Sequence, residues 1–118
     1  MKLDDIVPVE TKDLDITRFF KDKSKKVVIQ IRHYTYGEKM KLAQMISSEE
    51  PGKVKVENLK DVIYLELLYG VVKETSPFGG WDNFLIEELD KRNPHLVEFI
   101  HMAVREYNSP LAEKSAEK

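Results

Sequence analysis

The sequence predicts a mostly helical α+β domain, with an N-terminal β-hairpin packed on about four α-helices. Three observations carry that expectation. The β-branched run Val27-Val28-Ile29-Gln30-Ile31-Arg32 alternates apolar and polar residues at its end, as a half-buried strand does. Thr35-Tyr36-Gly37-Glu38 spells a helix-opening capping box. Beyond it, apolar residues recur at helical spacing in stretches punctuated by proline and glycine.

Residues 1–13 mix acids with Pro8 and Thr11 and show no period, so they read as a mobile lead-in. A single domain is expected over residues 14–108. It begins with Leu14, Ile16, Phe19 and Phe20, then the polar turn of residues 21–26, then the Val27 run. The stretch Asp15-Ile16-Thr17-Arg18-Phe19-Phe20 fits either the first strand of the hairpin or a helical turn. A first helix starts at the capping box, where the Thr35 hydroxyl accepts from the Glu38 amide and the Glu38 carboxylate reaches back to the Thr35 amide. Tyr36, Met40, Leu42, Ala43 and Ile46 fall on one broad arc of it, until Ser47-Ser48-Glu49-Glu50-Pro51-Gly52 breaks the pattern.

A second helix, from Val56 or Asn58 to about Val72, carries Leu and Val residues in nearly every direction and therefore needs partners on several sides. Residues 73–80, with Pro77 and Gly79-Gly80, form the strongest loop signal. Trp81, Phe84, Leu85, Ile86 and Leu89 give a third helix. Asn93 as cap and Pro94 in the first helical position open a fourth, carrying Leu96, Val97, Phe99, Ile100, Met102, Val104 and Tyr107. Residues 109–118 read as a flexible polar tail, too poor in apolar groups to dock.

Composition narrows the classes of function. Nineteen basic residues against 21 acidic ones leave a net charge of −2, which offers no global field for DNA, RNA or an anionic membrane. The absence of cysteine removes disulfides, thiolate metal sites and cysteine nucleophiles together, and fits a reducing compartment. No stretch of the sequence resembles a signal peptide or a membrane span, so a chain that is neither exported nor membrane-spanning is expected.

No constellation of residues announces a chemistry, and no enzyme is expected. The serines lie in polar connections without a nucleophile-elbow pattern. Gly79-Gly80 lacks the phosphate-binding glycine patterns and reads as a flexible loop. Of His33, His95 and His101, only Glu98-x-x-His101 has helical ligand spacing, and without a second copy it reads as a surface contact. The lysines of residues 21–26 read as a solvated hairpin tip. No cofactor or metal is expected.

The remaining signal is the apolar excess of the second and fourth helices. A small bundle could bury all of it, yet a chain of 118 residues has limited interior, so part of that surface could instead meet another protein. Leu65, Leu68, Tyr69, Phe99 and Met102 are the candidate interface residues.

The order of these features resembles the tail assembly chaperones of long-tailed bacteriophages. The likeness rests on the strand ending Val27 to Arg32, the Thr35-x-x-Glu38 helix start, the apolar helix from Leu59 to Val72, its Val72-Lys73-Glu74-Thr75-Ser76-Pro77 exit, and two closing helices with a charged tail. It implies a non-enzymatic, self-associating protein of phage or prophage origin. Such a protein coats the tape measure protein, recruits tail tube subunits in the bacterial cytoplasm and is absent from the mature virion. Many members also exist in a longer form made by ribosomal frameshifting, for which the Lys114 to Lys118 stretch would suit. A structural head or tail completion protein, or a small adaptor, is the alternative. The family offers no counterpart for Gly79-Gly80-Trp81.

Overall fold

The computed structural model describes residues 1–47 and 56–109. The expected helix break at residues 48–52 and the polar stretch 110–118 lie outside the described residues. Strand β1 (Lys12–Asp15) pairs antiparallel with β2 (Val28–Ile31), Lys12 opposite Ile31 and Asp15 opposite Val28. Four helices follow: α1 (Tyr36–Ser47), α2 (Val56–Gly70), α3 (Asn83–Arg92) and α4 (Pro94–Tyr107). The α+β architecture expected from the sequence is present.

Both readings of residues 15–20 are realised in succession. The strand ends at Asp15, and a 3-10 turn spans Thr17–Phe19. The Thr17 hydroxyl accepts the Val27 amide at 2.8 Å, closing the hairpin beyond its ladder. Lys21 to Lys26 are all exposed at the hairpin tip. β1 starts at Lys12, inside the expected lead-in, which also holds a 3-10 turn at Leu3–Asp5.

The helix caps follow the sequence signals. The Thr35 amide donates to Glu38 Oε1 at 2.9 Å and the Glu38 amide to Thr35 Oγ1 at 3.1 Å, the reciprocal pair of a capping box. The Arg32 guanidinium forks onto the same carboxylate at 2.9 and 2.8 Å, fastening the start of α1 to the end of β2. Partial burial opposes ionisation of Glu38, but the bonds from Arg32 and Thr35 outweigh it and hold its carboxyl below the ordinary value. At α4, Asn93 Oδ1 accepts from the amides of His95 and Leu96 at 3.1 and 3.3 Å, with Pro94 in the first position.

α2 ends at Gly70, two residues before the expected limit, because Val71 and Val72 join the sheet instead. Val71 bridges Ile31, the Arg32 amide donates to Gly70 O at 2.8 Å, and the Val72 amide donates to Gln30 O at 2.9 Å. Gly70 itself sits directly on Val104 of α4, where any Cβ would overlap the valine methyls. The absent side chain thus sets how closely α2 and α4 approach.

Gly79, Gly80 and Trp81 have a structural role. Gly79 has a φ of 83°, a left-handed conformation that favours glycine. The turn it makes delivers Trp81 into the core, where its indole N–H donates to Leu67 O at 2.9 Å. That carbonyl lies in the last turn of α2, where the helix leaves its acceptors unused. Trp81 therefore fills the core with its ring and caps a helix with its nitrogen. Around it pack Ile16, Ile29 and Ile31 from the hairpin region, Leu67 from α2, Ile86 from α3, and Ile100 and Val104 from α4.

α1 forms where the capping box opens it, and its apolar arc lies mostly outside the core. Of its apolar arc, Leu42 is buried, but Tyr36, Met40 and Ile46 are 79, 53 and 47% exposed. The arc is real, and most of it faces solvent.

Candidate interaction surface

The structure brings Phe99 and Met102 together and places the other three candidates elsewhere. Phe99 is half-buried on α4, tilted 45° against Phe19 of the hairpin region at 5.4 Å between ring centroids. The Arg18 guanidinium covers both rings, 4.3 Å from Phe99 and 4.8 Å from Phe19. Met102, one turn on, is exposed. Together with His95 and Glu98 they line a shallow hollow of about 250 Å³. The 3-10 turn at Thr17–Phe19 aims Arg18 and Phe19 at α4, and the i, i+3 spacing of Phe99 and Met102 does the rest. The result is an apolar, polarisable patch with a cation laid across it, able to accept the apolar side of a partner helix.

Leu65, Leu68 and Tyr69 are half-buried on α2. Leu65 lines a separate hollow of about 460 Å³ with Lys41, Met45 and Tyr64. Leu68 packs against the core and borders another, of about 440 Å³, with Arg32 and Trp81. The Tyr64 hydroxyl donates to Asp90 Oδ2 of α3 at 3.0 Å, and burial followed by that carboxylate pushes its pKa up to about 12.

Two apolar surfaces were not legible beforehand. One is the outer face of α1, where Met40 and Ala43 line a hollow of about 480 Å³ with Gly37, Lys41 and Gln44. The other is the stretch before β1, in which Met1, Leu3, Ile6, Val7 and Val9 are all exposed. The helical period around Met40 signalled an apolar face without saying which way it pointed.

His101 corrects the surface reading of Glu98-x-x-His101. It is buried, and its Nε2 lies 3.1 Å from Glu66 Oε1 of α2, while Glu98 is exposed. Arg105 Nε approaches Glu66 Oε2 at 3.4 Å, so the buried carboxylate is shared by two partners from α4. The Tyr34 hydroxyl is buried with no hydrogen-bond partner among the described residues, and burial, followed by the charge of Glu66, pushes its pKa up. This cluster fixes the register of α2 on α4, since a slip of either helix would strand a buried charge. Among the described residues no group of three or more His, Asp or Glu side chains could hold a metal ion.

No protein-family model, curated protein or solved structure matches this chain. Among the described residues no helix is long and apolar enough to cross a membrane.

Proposed function

We propose that this chain is a non-enzymatic assembly chaperone of the bacteriophage tail type, which binds the tape measure protein and helps recruit tail tube subunits to it. The observation that carries the reading is the patch of Phe99, Met102, Phe19 and Arg18, an apolar surface on one side of α4 with a cation across it. A helix-coating protein needs such a face: apolar anchors at i, i+3 that meet the apolar stripe of a long partner helix. The exposed thioether of Met102 adapts to stripes of varied sequence, as a protein that must cover many turns of one partner requires. The hairpin, the capped α1 and the exit from α2 keep the order on which the resemblance rests.

The test is co-expression with the tape measure protein and with the tail tube protein of the same phage or prophage. A soluble complex with the tape measure protein is expected, and Met102→Glu, at an exposed site, should abolish it while leaving the fold intact. Equal insolubility of the tape measure protein with and without this chain would refute the reading. Recovery of the chain from finished particles would move it to the class of completion proteins.

A further inference from the structure

We propose that residues 1–11 form an arm by which this chain binds a second copy of itself, seated on the outer face of the other copy's α1. The arm is apolar where it is most exposed: Met1, Leu3, Ile6, Val7 and Val9 are all two-thirds or more exposed. Its root is fixed, because the Tyr107 hydroxyl donates to Glu10 O at 2.9 Å and β1 begins at Lys12. A 3-10 turn at Leu3–Asp5, flanked by extended backbone at Lys2 and Ile6, gives it a short folded tip on an extended stem.

The outer face of α1 supplies what the arm lacks. Tyr36, Met40 and Ile46 expose apolar surface there, and the hollow beside Met40 is lined on one edge by Lys41. Charge complements this match. The arm carries Asp4, Asp5 and Glu10 against Lys2, whereas Lys41 edges the hollow on α1, whose one acid, Glu38, is held by Arg32. Opposite charge at the rim of an apolar contact fixes orientation and register.

Topology makes the exchange reciprocal. Lys12 lies opposite Ile31, and α1 opens five residues after Ile31, so the arm and α1 leave from the same end of the hairpin. A two-fold axis at that end lets each copy lay its arm on the other, doubling the contact. Eleven residues reach up to roughly 36 Å when extended, and the 12 residues of α1 span only about 18 Å. The chain's own arm leaves both surfaces open, which favours an occupant from a second copy.

The inference supplies the contact for the self-association that the chaperone reading implies, but its test contains no tape measure protein, so either can fail alone. Mass is measured by light scattering after size exclusion, on the full chain over a concentration series. The expected result is twice the monomer mass for the parent chain and the monomer mass for Val7→Asp/Val9→Asp and for Met40→Glu, with unchanged circular dichroism. Asp4→Lys/Asp5→Lys and Lys41→Glu should each weaken association at least tenfold, and mixing these two should recover part of it. A parent chain that stays monomeric at high concentration overturns the proposal. So does a dimer that survives the arm substitutions.

Discussion

α1 and α4 are both opened by side-chain caps and both carry apolar residues at helical spacing, yet they spend that stripe in opposite directions. α4 turns Leu96, Val97, Ile100 and Val104 into the core. α1 buries Leu42 and leaves Tyr36, Met40 and Ile46 at the surface. The difference lies in their neighbours. α4 is met by α2, α3 and the hairpin, and a glycine and a buried histidine–carboxylate contact hold it against α2. α1 follows the hairpin by a four-residue link held by Arg32 and Glu38, and rests on α2 along one side. A small domain has room inside for only some of its amphipathic faces. The fastening decides which ones.

The sharpest way to break this comparison is to truncate one residue from each stripe. Ile100→Ala should lower unfolding free energy by about 2–5 kcal/mol, because a fully buried side chain leaves a cavity. Met40→Ala should cost within about 0.5 kcal/mol at protein concentrations low enough to keep the chain monomeric. Chemical denaturation measures both, and equal losses would mean that α1 is packed more deeply than its exposure indicates. Next in size, Gly70→Ala should destabilise by about 1–3 kcal/mol, since the new methyl must push back Val104. If that overlap is the cause, the loss should shrink when Gly70→Ala is made in a Val104→Ala background, and additive losses would deny it.

The smallest effect concerns the link that carries α1. The carboxyl of Glu38 titrates below its ordinary value of 4.5 in the folded chain. Its contribution to stability is therefore fully present above that value and is lost as pH falls through the lower folded one. Melting curves taken down an acid series should show a flatter decline for Glu38→Gln than for the parent, together with a lower plateau near neutrality. Parallel curves would mean that the Arg32 fork holds α1 without help from the ionised carboxylate.

Much of this protein is legible in its sequence. Thr35-x-x-Glu38 and Asn93-Pro94 mark helix starts through bonds made within four residues, and both helices open there. The Val27 run is a strand in which Ile29 and Ile31 share the buried face while Val28 and Gln30 lie on a half-buried one. Phe99 and Met102 share a hollow because Arg18 and Phe19 of the hairpin region border it as well, and the i, i+3 spacing alone did not ensure this, since Leu65 and Leu68 have the same spacing. Leu65 and Leu68 border different hollows, and their relation depended on where α1, α3 and the hairpin came to rest.

What remained invisible was the partner across the fold. Nothing near His101 reveals Glu66, 35 residues away, and nothing near Trp81 reveals the Leu67 carbonyl. Gly70 looks like an ordinary helix end until Val104 lies against it. The sequence by itself determined the elements, their caps and the existence of more apolar surface than a single core requires, since these depend on contacts close along the chain. Only the tertiary structure decided which surface stayed outside. That choice rests on long-range fits, a missing Cβ, a shared buried carboxylate and an indole on a helix end, whose partners no local pattern names.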